Sequence, residues 1–321
     1  MKEGSALAAI DIGSNSILLE TARIEHGRIR LQLHRKETIR LGGALDAHGQ
    51  LHPDAMERGW DCLQRYAQLI AHVPLTHRKV AATQTLREAT NRAVFLDRAS
   101  ALLQCPIEVI SGEREAQLIY QGVALFLPDD PGLRLVVDVG GRSTELAWGQ
   151  GRALEHASSY PLGSVGWAQR FFPEGTLSAE AFGQAREAAL ALLAPALPLR
   201  ERLHTQAQVN VLGSSGTAGA ISKVLAAQGQ TPGHITRDAL WELRAQLQVA
   251  GNIRHLGALQ GLRPELLPVI GGGISVMCAV FELLDLQHMR MAQGALRHGL
   301  LASMLPLAGS GMAPGAAAPN S

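Results

Sequence analysis

The sequence is short of the residue types on which several common classes of protein depend. Aromatic residues make up only 4% of its 321 residues, which argues against a surface that stacks sugars or nucleic-acid bases. Its 3 cysteines, with no CxxC pair, make no disulfide framework and are typical of a reducing compartment. The net charge is only +1, so overall basicity predicts no nucleic acid among the partners.

Long apolar runs are also missing. The longest uncharged stretch, residues 266–281, is interrupted by Pro268 and three consecutive glycines, which predicts no membrane span. The apolar run near the N-terminus is short and contains a carboxylate, which predicts no signal peptide. We therefore expect a cytoplasmic protein with no membrane partner. Apolar residues, at 46%, are abundant enough for sizeable cores.

The order of predicted elements indicates two related α/β halves. A meander of strands at 6–12, 17–24 and 28–39 opens the first half, and one at 133–139, 143–149 and 152–159 opens the second. The other predicted elements are helices at 53–72, 86–104, from 111, and at 178–196, 216–227, 236–250, 267–284 and 294–304, with strands at 78–82, 106–110 and 208–213. This order predicts domains of residues 1–126 and 127–305, followed by a flexible tail at 306–321.

A hairpin sequence occurs twice and carries the chemistry. AIDIGSNS at residues 9–16 and VDVGGRSTE at 137–145 each contain a strand, an aspartate, an apolar residue, a glycine and a hydroxyl-rich turn. Glycine lets backbone N–H groups approach a phosphate, and a carboxylate beside them can hold Mg²⁺ together with phosphate oxygens. Two such hairpins predict a phosphate clamp, although either alone also reads as an ordinary Gly-Ser turn. The candidate phosphate-binding residues are Gly13, Ser14, Asn15, Gly140, Gly141, Ser143 and Thr144.

These two sequences resemble the phosphate motifs of the exopolyphosphatase / guanosine pentaphosphate phosphohydrolase (Ppx/GppA) family. Further matches follow in order to about residue 304: RLGGAL, AATQTLREATN, VISGEREAQLIYQGV, GSSGT, LLPVIGGGISVM and ALRHGLL. The resemblance implies an α/β fold of two ribonuclease-H-like domains, as in the actin–Hsp70–sugar kinase superfamily, with a cleft between them. It also implies a homodimer and a hydrolase dependent on Mg²⁺ or Mn²⁺.

The helix that follows Ser111 offers a base for the proton transfer that hydrolysis requires. At about 100° per residue, Glu115 lies in the apolar arc of this helix and Glu113 in the polar arc. Carboxylates near apolar surfaces have raised pKa values, which suits a general base, but a partly buried glutamate satisfied by an arginine is the alternative. The resemblance points to Glu115 as the catalytic residue.

The resemblance also implies roles for three other acidic residues. Asp138 would bind the metal or its water, with Asp11 as its counterpart in the first motif, and Glu145 would orient the water or the metal shell. For Asp11 the alternative is an aspartate that only closes its hairpin, because turns favour such local hydrogen bonds.

Two arginines stand in or near the motifs. Arg87 matches an arginine of the family and could bind a phosphate through two N–H groups; the alternative is an ion pair with Glu88 or Glu37. Arg142 occupies a position where the family has a third glycine. We expect its side chain to contact a polyanion beyond the terminal phosphate, and a left-handed backbone there would carry strain.

Two further patterns are less specific. The glycines at 271–273 could contact a nucleotide or allow close packing. Period-two alternation predicts that one face of the strand at 28–36 carries Arg28, Arg30, Gln32, His34 and Lys36, a stripe that could steer a polyanion.

The sequence thus favours an exopolyphosphatase that hydrolyses the terminal phosphoanhydride of polyphosphate. The alternatives are a guanosine pentaphosphate phosphohydrolase and a nucleotide- or alarmone-binding regulator with little turnover. A kinase of the same fold lacks support, because no aromatic cluster for a sugar is present. Both polyphosphate and the pentaphosphate end in the same anhydride, so the motifs alone do not rank them.

Overall fold

The structure is a computed structural model that describes residues 1–128, 132–206, 208–257 and 259–305. The described residues form two compact units, one from residues up to 128 together with those from 294, and one from residues 132–293. The boundary turn predicted at 127–132 lies partly outside the described residues. The tail predicted at 306–321 lies wholly outside them.

The first unit is built on a five-stranded mixed sheet. Its strands are β1 (Ala6–Ile12), β2 (Ser16–Glu25), β3 (Arg28–Thr38), β4 (Arg78–Ala82) and β5 (Ile107–Val109), in the order β3-β2-β1-β4-β5. β1, β2 and β3 form an antiparallel meander, and β4 and β5 run parallel to β1. The near-continuous apolar sequence of β1 fits its place in the middle of the sheet, where both faces are covered.

The first unit contains four α-helices before residue 128. They are α1 (Pro53–Leu69), α2 (Gln84–Glu88), α3 (Arg92–Leu103) and α4 (Gly112–Ala124). The core forms where α1 and α3 pack together with the β1 side chains Ile10 and Ile12. Trp60 of α1 stacks on Phe95 of α3, with ring centroids 5.9 Å apart, and its indole N–H donates to the Phe95 carbonyl at 3.0 Å.

The second unit repeats this sheet with one added strand. Its strands are β6 (Leu133–Val139), β7 (Thr144–Gln150), β8 (Ala153–Tyr160), β9 (Val209–Gly213), β10 (His234–Thr236) and β11 (His288–Met291), in the order β10-β11-β9-β6-β7-β8. Again a meander is extended by strands parallel to its first member, here β9 and β11, and the edge strand β10 runs antiparallel to β11. The prediction of an α/β fold with two related halves is confirmed, because each unit has a mixed sheet that begins with an antiparallel meander. The assignment of these units as ribonuclease-H-like domains of the actin–Hsp70–sugar kinase superfamily stays a prediction.

The helices of the second unit surround a buried central helix. They are α5 (Ser164–Phe171), α6 (Ala179–Leu193), α7 (Leu197–His204), α8 (Gly216–Ala227), α9 (Arg237–Ala250) and the central α10 (Ile270–Leu283). The segment Pro264–Leu283 is long and apolar enough to cross a membrane by length and composition alone. Most of it is buried inside the unit, however, as in the core helices of globular domains.

Close packing accounts for the three glycines of α10. A Cβ added at Gly271 would lie 2.9 Å from the Leu177 side chain, and one at Gly272 would lie 2.2 Å from the Ser164 carbonyl. A Cβ at Gly273 would lie 2.8 Å from the Thr217 side chain. Of the two interpretations open at the sequence level, the structure supports packing.

The helix predicted at 86–104 is two helices. After α2, Ala89 adopts an extended backbone, and the Thr90 N–H donates to the Gly49 carbonyl at 2.8 Å. The Asn91 side chain then bonds both backbone groups of Leu51, at 2.9 and 3.1 Å. These long-range hydrogen bonds replace the helical ones, so the local helical spacing does not decide the conformation here.

The predicted cationic face of β3 is wrong because the strand contains a bulge. Thr21 pairs with Leu33 but its neighbour Ala22 pairs with Leu31, which leaves Gln32 as an extra residue. A bulge shifts the alternation by one residue, so Arg28 and Arg30 lie on the face opposite to His34 and Lys36.

The last helix, α11 (Leu296–Ala302), belongs to the first unit, whereas the predicted domain division assigned it to the C-terminal domain. It packs against α4, β1 and β2. Buried Leu296, Leu300 and Leu301 give it an apolar surface that must be covered. Sequence order does not show which sheet provides that cover.

Candidate functional site

In the first unit, the candidate residues collect at one edge of the sheet. Ile12, at the end of β1, pairs with Ala82, at the end of β4, which pairs with Val109 of β5. The Thr83 N–H extends this edge by donating to the Ile12 carbonyl at 3.2 Å. The turn after β1, helix α2 and the start of α4 therefore follow three neighbouring strand ends. Ligands of open α/β sheets bind outside this edge.

The turn between β1 and β2 is held by its carbonyl groups. The Gly13 N–H donates to the Ser16 carbonyl at 3.1 Å. The Ser14 carbonyl accepts from the Gly42 N–H at 2.7 Å, and the Asn15 carbonyl accepts from two N–H groups at 2.9 and 3.0 Å. Because C=O and the next N–H point in opposite directions across a trans peptide, the Asn15 N–H points away from the segment that holds Ser14.

The turn between β6 and β7 repeats this arrangement. The Gly140 N–H donates to the Ser143 carbonyl at 2.9 Å. The first turn of α5 then binds the turn from behind: the Ser164 N–H donates to the Gly140 carbonyl at 2.9 Å, and the Val165 N–H donates to the Gly141 carbonyl at 2.7 Å. The N–H groups of Gly141 and Arg142 consequently point away from α5. Outward N–H groups in a tight turn make an anion-binding concavity.

Close approach, not a left-handed backbone, explains the glycines. The described residues with positive φ include none from either turn, so Arg142 carries no left-handed strain. A Cβ added at Gly13 would lie 3.0 Å from the Ser16 carbonyl, and one at Gly140 would lie 3.0 Å from the Ser143 carbonyl. The equal distances show that the two turns share one geometry.

Sequence analysis missed Gly163, which holds the second turn in place. This glycine precedes α5, and a Cβ on it would lie 2.5 Å from the Arg142 nitrogen and 2.8 Å from the Gly140 carbonyl. Only a residue without a side chain allows the helix to reach the turn this closely. The SYPLGS sequence around it offers no recognisable motif.

The structure places Glu115 as the helical spacing predicts. Glu115 is buried, with 7% of its surface exposed, and Ala116, Leu118 and Gly122 are buried with it. Glu113 is exposed and accepts a hydrogen bond from the Gln117 amide at 3.3 Å. The apolar and polar arcs of α4 are confirmed.

Arg87 binds Glu115. The Arg87 Nη1 donates to Glu115 Oε2 and to the Ile110 carbonyl, both at 2.8 Å, and its Nε donates to Gln84 at 2.8 Å. A glutamate satisfied by an arginine, one of the two interpretations of Glu115, is therefore present, while Glu37 pairs with Arg65. These bonds use three of the five guanidinium N–H groups, so a phosphate bound between Nη2 and either Nη1 or Nε would compete with one of these partners.

Three buried polar groups at this edge lack a hydrogen-bond partner among the described residues. They are Ser16 Oγ, Thr85 Oγ1 and Arg87 Nη2. Buried polar groups are nearly always satisfied, so unsatisfied ones at a strand-end edge indicate a place for a polar ligand or water. Ser16 belongs to the AIDIGSNS motif and Thr85 to the AATQTLREATN motif. The sequence did not identify them as candidate site residues, because serine and threonine hydroxyls in turns commonly serve only to stabilise the turn.

In the second unit, Asp138 and Glu145 are neighbours across the hairpin. They pair directly between β6 and β7, with Asp138 half-buried and Glu145 buried. Glu145 also pairs with Ser159 of β8, whose hydroxyl donates to it at 2.7 Å. Thr144 donates to the Leu162 carbonyl at 2.7 Å, so its hydroxyl already serves as a structural link.

The donor set fits a divalent ion that binds together with substrate. The described residues contain no cluster of three His, Cys, Asp or Glu that would hold a metal by itself. Each turn is instead preceded by one aspartate, Asp11 or Asp138. Mg²⁺ is commonly bound by one or two carboxylates, waters and substrate phosphates, so these hard oxygen donors suit it.

Comparisons with known sequences agree with these features. Residues 21–308 match the Ppx/GppA phosphatase family. A guanosine-5'-triphosphate,3'-diphosphate pyrophosphatase of Vibrio vulnificus (strain YJ016) is 40% identical over 298 residues, which are 93% of this chain and 59% of that protein. A relative of the same name from Vibrio parahaemolyticus matches equally well. The chain thus spans 59% of the length of these curated relatives.

Solved structures share the fold. The PPX-GPPA enzyme of Aquifex aeolicus is 25% identical with a TM-score of 0.76, over 93% of this chain and 99% of that one. An exopolyphosphatase from Cytophaga hutchinsonii is 23% identical with a TM-score of 0.82, over 94% and 97%. This second similarity concerns the fold alone.

Proposed function

Because the chain belongs to the Ppx/GppA phosphatase family, we propose that it is a phosphoanhydride hydrolase that releases the terminal phosphate of guanosine pentaphosphate. The sequence alone favoured polyphosphate as the substrate. Relatives 40% identical to the chain carry the name of a guanosine pentaphosphate hydrolase, which favours the pentaphosphate over polyphosphate. The observation that carries the hydrolase proposal is the repeated turn with outward N–H groups beside an aspartate.

In the proposed reaction, the turns bind phosphate oxygens through the backbone N–H groups of Asn15, Gly141 and Arg142. Glu115 takes a proton from the water that attacks the terminal phosphorus. The bond between that phosphorus and the bridging oxygen breaks, which gives inorganic phosphate and the shortened substrate. Arg87 holds the Glu115 carboxylate in place and adds positive charge near the phosphates.

A divalent ion would supply the remaining charge neutralisation. Asp11 and Asp138 are the residues proposed to hold Mg²⁺ or Mn²⁺, with Glu145 orienting a ligand water. Removal of the ion with EDTA should abolish phosphate release, and Mg²⁺ should restore it. Restoration by zinc with no response to Mg²⁺ would contradict this ligand assignment.

Polyphosphate is the second candidate substrate. It ends in the same anhydride, and the low aromatic content of 4% offers few side chains for stacking a guanine base. A regulator that binds the same ligands without turnover would keep the turns but would not need Glu115 as a base.

The decisive experiment measures phosphate release from guanosine pentaphosphate and from polyphosphate side by side, with and without Mg²⁺, for the wild type and Glu115→Gln. We expect the higher kcat/KM on the pentaphosphate and a dependence on both Mg²⁺ and Glu115. Higher kcat/KM on polyphosphate would instead identify polyphosphate as the preferred substrate. Tight binding with no release by the wild type would instead support the regulator.

A further inference from the structure

A buried ion cluster joins α11 to the sheet of the first unit. Glu20 of β2 is 2% exposed, and its Oε2 accepts from Arg297 Nε at 2.8 Å and contacts His34 Nδ1 at 2.9 Å. His298 Nε2 lies 3.6 Å from the same oxygen. Since His298 Nδ1 accepts from the Ala295 N–H at 3.0 Å, its Nε2 carries the proton that faces Glu20. α11 is therefore tied to β2 through one carboxylate.

On its other side, α11 touches the backbone of α4. A Cβ added at Gly299 would lie 1.9 Å from the Leu118 carbonyl, and one at Gly122 would lie 2.2 Å from the Ala295 carbonyl. Two glycines thus bring the helices into direct backbone contact, with no flexible side chain between them. Packed elements of this kind transmit displacement instead of absorbing it.

The contact lies on the face of α4 that carries Glu115. Leu118 and Gly122 follow Glu115 by three and seven residues, which places all three on one side of a helix. Leu118 is about 4.5 Å along the axis from Glu115. Arg87 of α2 binds the Glu115 carboxylate, while α11 contacts the backbone of the same face of α4 at Leu118 and Gly122.

We propose that Glu20 is a positioning residue, which by anchoring Arg297 and His298 fixes α11 and through it sets the place of Glu115. The proposal rests on the proposed function of Glu115 as the base. Glu20 was not singled out in the sequence, because its position in β2 reads as an ordinary strand residue. Misplacement of a catalytic group by about 1 Å can cost about 100-fold in rate, so a remote anchor of this kind can matter.

The test compares Glu20→Gln with Glu25→Gln. Glu25 lies on the same strand and pairs with Arg30 at 3.0 Å on the surface, so it controls for loss of a carboxylate from β2. We expect Glu20→Gln to speed hydrogen exchange at the amides of residues 115–119 and to lower kcat by about 10- to 100-fold, with little change in KM. Glu25→Gln should change neither.

A double-mutant cycle separates positioning from general destabilisation. If Glu20 acts through Glu115, Glu20→Gln should cause no further loss of kcat in a Glu115→Gln background. The proposal would be overturned if Glu20→Gln lowered kcat by the same factor in the wild-type and Glu115→Gln backgrounds. It would also be overturned if Glu20→Gln left hydrogen exchange in α4 unchanged. Arg297→Lys tests the same link if Glu20→Gln does not fold, and should speed exchange in α4 in the same way. A wild type without hydrolase activity would refute the proposed function, while the exchange measurement would still decide whether Glu20 holds α4.

Discussion

At the scale of single residues, the proposed chemistry depends most on Glu115. Its burial beside Arg87 holds one carboxylate oxygen in a fixed place, and Glu113 of the same helix is exposed. Glu115→Gln keeps the shape but cannot accept a proton, so kcat should fall by about 10²- to 10⁴-fold while substrate affinity is retained. Steady-state kinetics and equilibrium binding check this, with Glu113→Gln as control. Near-normal turnover by Glu115→Gln would require another base.

Arg142 is expected to add a contact without straining its turn. Its backbone is not left-handed, and the direction of its N–H is set by the Gly141 carbonyl of the same peptide, which accepts from the Val165 N–H, and not by the side chain. Arg142→Gly should therefore raise KM selectively on long polyphosphate, because only a long chain reaches the guanidinium, and the effect should shrink at high salt. Kinetics on short and long chains at two ionic strengths provide the measurement. Unchanged kinetics would refute the contact, and a general gain in activity would identify Arg142 as an obstruction.

At the scale of elements, the placement of the second turn depends on α5. Gly163→Ala would force a Cβ to within 2.5 Å of the Arg142 nitrogen, so helix and turn must separate. We expect a loss of about 1–3 kcal/mol in stability and a rise in KM for every phosphate substrate.

The matched control for this prediction is Gly166→Ala in the same helix, where an added Cβ meets nothing within 4 Å. That change should stabilise the protein by up to about 1 kcal/mol, because alanine favours a helix over glycine. Thermal unfolding and KM values measure both. Equal behaviour of the two variants would mean that the close contact at Gly163 is unimportant for the turn.

The elements show where sequence patterns suffice. Both meanders were predictable because short apolar runs, tight polar turns and the repeated glycine motif all indicate the same hairpins. The helical spacing of α4 likewise predicted the burial of Glu115. By contrast, the bulge at Gln32 and the break after α2 result from pairings with distant residues, which local periodicity does not contain.

Short elements were missed for a related reason. No pattern in the sequence predicted α5, α7, β10 or β11, which have only eight, eight, three and four residues. Segments of this length do not show a full amphipathic pattern, and tertiary packing decides their conformation.

At the scale of the whole molecule, the chain begins and ends its described part in the same unit. α11 completes the first unit by covering β1 and α4, although about 280 residues separate it from β1 and about 170 from α4. The ALRHGLL motif was visible in the sequence, but its partner Glu20 was not, since the pair of Glu20 and Arg297 spans 277 positions. Domain limits that are predicted from the order of elements therefore miss a helix such as α11, which follows the second unit in the sequence but packs in the first.

The same cluster predicts how stability depends on pH. Burial would raise the pKa of Glu20, but its hydrogen bonds with His298 and His34 and the charge of Arg297 outweigh this and lower the pKa from 4.5 to about 2. Burial lowers the pKa of His298 below its ordinary 6.5. In both cases the unfolded chain takes up a proton at a higher pH than the folded chain does. Stability should therefore fall on acidification, first below about pH 6.5 and more steeply from about 4.5 towards 2.

Urea unfolding of the wild type and Glu20→Gln between pH 8 and 3 measures this dependence. Glu20 should contribute on the order of 3 kcal/mol at neutral pH relative to its protonated form, so the wild type loses stability below pH 4.5 and Glu20→Gln loses much less in that interval. Glu25→Gln, with its carboxylate on the surface, should keep the wild-type slope. Equal slopes for the wild type and Glu20→Gln below pH 4.5 would show that Glu20 is not held as a buried carboxylate, and the anchoring of α11 would then need another explanation.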